Sequence, residues 1–315
     1  MKLSEIRKMS QYLTSQEEST AVPYSLELMM KLGLEPGTFY QELEMESPYV
    51  DTHQDISDSN THLQFHSHTF YEMLCCRNAC GAEYLVGAER YKLQRGDIIF
   101  VPPGISHRPL LPDQMAESYI RDVLWISVDF FHMLSKTTQE ELGAKFQEPF
   151  LFRTAGTEWE YICEMIRNGV REAESGQFGW STLVVSNTVH VLVHLSRARL
   201  NNAKPMAAEK PELLDQVLAY VESHLSERIS LAETAHHFYI SESTISQTFR
   251  KKMDVSFYRY VTQRRLIASK ALIEHGLPLE AVAEQIGFTD YSTFYRAFRQ
   301  EYGISPRQYR KKQNG

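Results

Sequence analysis

The chain has 315 residues, 43% of them hydrophobic and 23% charged, with a net charge of −7. That balance excludes a disordered or fibrous protein and fits two or three globular domains. No stretch reaches the roughly 20 uninterrupted apolar residues of a membrane helix, and the opening MKLSEIRKMSQYLTSQEEST lacks the apolar core of a secretion signal, so the expected location is the cytoplasm. The charge is unevenly spread. From residue 240 onward thirteen Lys/Arg stand against seven Asp/Glu, a net +6, whereas the remainder carries twenty against thirty-three, a net −13. A basic end on an acidic body points to an anionic partner for that end.

Taken in chain order, residues 1–42 read as a helical segment: SLELMMKLG has apolar residues at helical spacing, and Gly33 is a plausible stop. Residues 43–135 change character. FYEMLCC, EYLV, RYKLQ, DIIFVPP and VLWISVDF are rich in aromatic and β-branched residues. Gly87-Ala88 reads as a tight hairpin, and Pro102-Pro103-Gly104 as a sharp strand end. Short strands at this density predict a small antiparallel barrel or sandwich. Of the four cysteines, Cys75, Cys76 and Cys80 cluster while Cys163 stands apart. Their spacing matches neither a zinc site nor a CxxC redox pair, so they read as small apolar residues in a reducing compartment.

Residues 136–203 read as helical again. Trp159, Ile162, Cys163, Ile166 and Val170 follow steps of three and four. VHVLVHL alternates like a strand, but it lies in a run too long and uncapped for one, so helix is expected. Two such helices either complete the barrel core or pair with a second copy; the expectation is a dimerising connector. Residues 204–212 are polar and proline-bearing, the pattern of a linker.

Residues 213–315 predict a compact helical unit. Its first helix buries Leu213, Leu214, Val217, Leu218, Val221 and Leu225. In SLAETAHHFYISESTISQTFRKKM, a short helix packs Leu231, Ala232 and Ala235 inward, and Ser241 caps a second helix whose core positions are Ile245 and Phe249. Ser243, Ser246, Gln247 and Arg250 are left facing outward, which is the pattern of a helix-turn-helix. The arrangement recurs in LEAVAEQIGFTDYSTFYRAFRQEYG. Leu279, Val282, Ala283 and Ile286 form the first stripe, Gly287 the stop, Asp290 the cap, and Phe294 and Phe298 the core pair. Ser292, Tyr295, Arg296 and Arg299 then face outward. One long helix, SFYRYVTQRRLIASKALIEHG, joins the two units.

The stretch Ser256–Tyr309 resembles the C-terminal domain of the AraC/XylS family of bacterial transcription regulators. The residues that carry the likeness are SFxxYV at 256–261, RL at 265–266, GF at 287–288, FxRxFR at 294–299 and YGISPxxYR at 302–310. Departures are Ser269, where the family usually has alanine, and Gln247, where arginine is common. The resemblance implies two reading helices in successive major grooves of one face of double-stranded DNA. Gln247 would suit adenine and Arg296 guanine, while Arg250, Lys251, Lys252, Arg299, Arg307 and Arg310 would contact phosphates. It also implies a regulator, more often an activator, that meets RNA polymerase and is not an enzyme.

In the front half, His66-x-His68-x3-Glu72 and Gly96-x5-Pro102-x-Gly104-x2-His107 resemble the two cupin motifs. In metal-binding cupins the three histidines and the glutamate converge on one divalent cation, and such a donor set suits Zn, Fe, Mn or Ni. Leu111 stands where many cupins have asparagine. Two readings stay open: a pocket for a small organic effector, with sugars and related metabolites implied by the family, or a metal-dependent sensor or metalloenzyme using His66, His68, Glu72 and His107. The overall expectation is an α+β multidomain chain, a cupin-like β-barrel with flanking helices followed by an all-α double helix-turn-helix.

Overall fold

A computed structural model describes residues 43, 45–57, 66–87, 89–112, 114–138, 142–201, 211–253 and 255–313. The helix expected within 1–42 and most of the linker expected at 204–212 lie outside them. Contacts divide the chain into two units, one built mainly from 67–209 with 43–63, the other mainly from 210–315.

Among the described residues the first unit holds eight strands. β1 (Val50–Ser57), β7 (Tyr119–Ile126), β2 (Tyr71–Asn78), β5 (Asp97–Val101) and β8 (Phe150–Arg153) lie side by side in that order. β4 (Glu89–Lys92), β3 (Glu83–Val86) and β6 (His107–Leu110) form a second sheet. All pairings are antiparallel. The predicted hairpin joins β3 to β4, with Gly87 at φ +60°. The sheet runs past residue 135: FLFR at 150–153, inside the stretch read as connector, pairs with Asp97–Phe100 as the edge strand.

Successive side chains of a strand face opposite ways, and the register sorts them cleanly. Met73 and Cys75 of β2 and Leu124 of β7 turn to one side, where Phe100, Phe130, Phe146, Phe150, Ile162, Ile166, Val191, Leu192 and Leu195 form one core. That core joins the sheet to α1 (Val128–Thr138), α2 (Tyr161–Ser175) and α3 (Trp180–Leu200). VHVLVHL is helical, within α3. The connector helices therefore complete the core of the sheet, the first of the two roles open to them. Leu74, Cys76, Val123 and Trp125 turn the other way and pack with Tyr84, Val86 and Tyr91 of the small sheet.

The second unit is helical: α4 (Leu213–Ser223), α5 (Leu231–His237), α6 (Glu242–Met253), α7 (Phe257–Glu274), α8 (Leu279–Gln285), α9 (Tyr291–Tyr302) and α10 (Pro306–Gln313). Side-chain oxygens of Ser230, Ser241, Ser256 and Asp290 accept from backbone N–H groups at the starts of α5, α6, α7 and α9, satisfying donors a helix start leaves open. Ala232, expected inward, is exposed, and Thr234 takes the buried position. No helix among the described residues is long and apolar enough to cross a membrane.

α7 is the strut of this unit. Arg264 chelates the Glu222 carboxylate, which also accepts from Tyr260 Oη at 3.1 Å. On the other side Gln263 and Arg259 reach Glu301 of α9, at 3.2 and 2.5 Å. Arg265 donates to the carbonyls of Leu225 (3.0 Å) and Glu227 (2.6 Å). Its guanidinium lies against Gly287, whose φ is +82°. A Cβ on Gly287 would meet Leu225 O at 2.5 Å and Arg265 Nη2 at 2.8 Å. Gly287→Ala thus adds a steric clash to left-handed backbone strain and should cost about 2–3 kcal/mol, read as a lower denaturant midpoint for this unit.

Candidate nucleic-acid interface and polar cluster

α6 and α9 present the same face. In α6, Ile245, Phe249 and Met253 are buried, Ser243, Gln247 and Arg250 exposed, and Ser246 half-buried. In α9, Phe294 and Phe298 are buried, Ser292, Arg296 and Arg299 exposed, and Tyr295 half-buried. The match follows from the four-residue spacing of the apolar anchors, which turns the residues between them away from the core. Among the described residues no ion pair engages Arg250, Arg296 or Arg299, so their charge faces solvent.

Two of the basic residues expected at phosphates are otherwise occupied. Arg310 donates to the carbonyl of Leu277, at the join of α7 and α8, and is half-buried. Lys252 pairs with Glu212 ahead of α4. Lys251 and Arg307 are exposed. The reason for the correction is that a basic side chain within reach of a helix C-terminal carbonyl or a nearby carboxylate is used inside the fold. Tyr239 was not singled out by sequence: it holds φ +56° in the turn between α5 and α6 and is 92% exposed. Glycine takes the corresponding left-handed place in the other turn, at Gly287.

All four residues expected at an effector or metal site come together: ligand atoms of His66, Glu72 and His107 lie within 4.8 Å of one another, and His68 reaches the same carboxylate. Glu72, His68 and His107 are all buried. Glu72 Oε2 lies 2.8 Å from His107 Nε2 and 3.7 Å from His68 Nε2, and its Oε1 accepts from Trp125 Nε1 at 2.8 Å. Each ring is held at its other nitrogen by a backbone carbonyl: His68 Nδ1 by Phe70 O at 2.7 Å, His107 Nδ1 by Ile105 O at 2.9 Å. Carbonyls only accept, so this network assigns a proton to Nδ1 of each ring and turns Nε2 toward Glu72. Burial opposes ionisation of Glu72, and the charge and hydrogen bond of His107 overcome it, so its carboxyl sits well below the usual carboxylate range. Burial pushes His68 down, against the pull of Glu72.

His66 and His68 do not project from one regular strand, because β2 begins only at Tyr71. His66 is half-buried and still brings a ring nitrogen within 4.8 Å of ligand atoms of Glu72 and His107. His68 stacks flat on Phe70 at 4.0 Å.

Sequence reasoning missed the partners that complete the cluster. Trp125 fixes Glu72, His53 meets the edge of Trp125 at 4.9 Å, and Arg121 pairs with Asp55 at 2.8 Å. The Tyr119 hydroxyl is buried with no hydrogen-bond partner among the described residues. The signal was present: in YIRDVLWI, alternation puts Tyr119, Arg121, Val123 and Trp125 on one face.

Comparison with known proteins bears on the helical unit first. A helix-turn-helix domain family matches residues 234–312. The "probable transcriptional regulator LumQ" of Photobacterium leiognathi is 35% identical over 128 residues, 40% of this chain and 49% of that protein. The chain thus spans about half the length of that relative. The "HTH-type transcriptional activator RhaS" of Salmonella typhimurium is 25% identical over 253 residues, 78% of this chain and 86% of that one. Among solved structures, ToxT of Vibrio cholerae aligns over 83% of this chain and 96% of its own, at 14% identity and a TM-score of 0.36. The doubled helix-turn-helix on a shared helix, the matched residues 234–312 and these relatives agree, and residues 234–312 are a helix-turn-helix domain similar to those of bacterial transcription regulators.

Proposed function

We propose that the protein is a sequence-specific DNA-binding transcription regulator, acting in the cytoplasm as an activator, rather than an enzyme. The observation that carries this reading is the repetition of one exposed face, Ser-Gln-Arg on α6 and Ser-Arg-Arg on α9, on two sides of a single strut. An 18-residue α7 spans about 27 Å, near the ~34 Å between successive major grooves on one face of B-DNA. In this reading Gln247 and Arg296 read base edges, while Ser243, Ser246, Ser292 and Tyr295 flank them. Arg250 and Arg299 hold phosphates. RNA polymerase and a second copy of the chain are the expected macromolecular partners.

The sheet unit is read as the sensor. A small organic metabolite of the sugar class would be held by His66, His68, Glu72 and His107 with the Tyr119 hydroxyl. That buried hydroxyl, without a hydrogen-bond partner among the described residues, supports a ligand there, because such a group costs about 1–3 kcal/mol when left unsatisfied. One observation favours a cation instead: ligand atoms of His66, Glu72 and His107 lie within 4.8 Å of one another, and the rings of His68 and His107 donate Nδ1–H to backbone carbonyls. Metal-binding imidazoles are held at their far nitrogen in this way. His66, Glu72 and His107 would then hold Zn, Fe, Mn or Ni, with His68 beside them, and the ion would supply a Lewis-acidic contact for the effector.

Three substitutions separate the roles on the helical unit. Arg296→Ala should cost about 1–3 kcal/mol at one base pair and relax preference there. Arg299→Ala should weaken specific and nonspecific duplexes alike and make the salt dependence shallower by about one unit. Arg310→Ala should lower the unfolding midpoint and leave the salt slope unchanged. Fluorescence anisotropy over a salt series checks the DNA effects and a denaturant titration the Arg310→Ala midpoint; unaltered affinity in both Arg296→Ala and Arg299→Ala would refute the assigned face. For the sensor, a metabolite thermal-shift screen on the full chain should give a hit that His107→Gln and Glu72→Gln abolish. Elemental analysis, with a chelator-induced loss of melting temperature, decides for the cation.

A further inference from the structure

Two cysteines 88 positions apart share one cleft of the sheet unit. Alternation along β2 sends Cys76 toward the small sheet and Cys75 toward the helices. There Cys75 sits in the core against which Cys163, in the first turn of α2, packs. Cys163 Sγ also lies 3.3 Å from Thr154 Oγ1 and 3.5 Å from the carbonyl oxygen of Gly96. Cys75 is fully buried and Cys163 half-buried. Both line a cleft of about 470 Å³ whose walls include Arg77, Arg95 and Arg167 together with Glu160 and Glu164.

The asymmetry of the pair gives each sulfur a separate part. Cys163, half-buried on the cleft, is the sulfur a small oxidant can reach, whereas Cys75 is closed off from solvent. The neighbouring Cys163 thiol and burial raise Cys75 well above the ordinary thiol range. Access thus singles out one sulfur for attack, and its buried neighbour waits as a thiol. The other two cysteines lack this arrangement. Burial pushes Cys76 up to about 12, and Cys80, also raised, donates to the Ser118 carbonyl at 3.1 Å.

We propose that Cys163 and Cys75 form a hydroperoxide-reactive dithiol, with Cys163 attacking and Cys75 resolving. The Cys163 thiolate attacks one peroxide oxygen, the O–O bond breaks, and the departing oxygen takes a proton and leaves as water or an alcohol. Cys163 is then a sulfenic acid. The Cys75 sulfur attacks the Cys163 sulfur, the S–O bond breaks, and the hydroxyl leaves as water with the Cys75 proton. The dithiol gives up two electrons, the peroxide accepts them, and the resulting disulfide joins β2 to α2. An external dithiol reverses it by exchange. This site is independent of the DNA-reading face and of the polar cluster between the sheets.

The test is hydrogen peroxide treatment of the full chain, followed by dimedone or alkylation and peptide mass spectrometry with fragmentation between Cys75 and Cys76. The expected main product is a Cys75–Cys163 cross-link. Dimedone labelling of Cys163 in Cys75→Ser should run roughly tenfold faster than labelling of Cys80 in the same molecule. Cys163→Ser should remove the cross-link while Cys76→Ser and Cys80→Ser keep it. Should Cys163→Ser fail to fold, the cross-link position and labelling order in the unaltered chain decide. Cys163 reacting no faster than Cys80, or a cross-link through Cys76, overturns the proposal.

Discussion

Arg265 is the residue on which the helical unit turns. From the middle of α7 its guanidinium closes the carbonyls of Leu225 and Glu227, beyond the end of α4, and lies against the glycine that turns α8 into α9. Charge-assisted bonds to carbonyls are among the stronger ones available to a protein. Here they tie the approach to the first helix-turn-helix and the turn of the second to one side chain. The requirement for glycine at 287 follows from the same crowding, because the space a Cβ would need is already filled by a carbonyl and that guanidinium. Arg264 to Glu222 on one side of α7, and Gln263 and Arg259 to Glu301 on the other, extend the bracing along the helix.

The sheet unit is organised by a different constraint, the two-faced strand. β2 and β7 carry an aromatic and aliphatic set toward the helices and a mixed set toward the small sheet. Glu72 and Trp125 are directly opposed across the ladder, and so are Asp55 and Arg121. Buried charge is tolerated there because each group finds a complementary partner in register. The same alternation separates the Cys75–Cys163 pair from the histidine cluster although Cys76 is the next residue in the chain.

Much of the helical unit was legible because its determinants are local. Caps at Ser241 and Asp290, core pairs four apart and a glycine stop all act within one or two turns. What sequence did not show was which cations the fold consumes. Arg310 and Lys252 read as free basic groups, yet their partners Leu277 and Glu212 lie 33 and 40 positions away. In the sheet unit His68, Glu72 and His107 were found by spacing, whereas Trp125, 53 residues from Glu72, was not. The strand at 150–153 escaped notice because it lies inside a stretch whose flanks read as helix, and only its pairing with β5 defines it. The Cys75–Cys163 contact depends on how α2 packs on the sheet, which no local pattern encodes.

A strut that is also a helix fixes more than distance. Each residue of α7 advances the chain by about 1.5 Å and turns it by about 100°, so length and phase cannot be adjusted separately. Lengthening it by a single position would turn one exposed face about 100° around the axis of α7 relative to the other while adding only about 1.5 Å. Under the proposed function the two halves of a target would keep a set phase on the double helix, and a site of altered spacing would need a differently built protein, not a stretched version of this one.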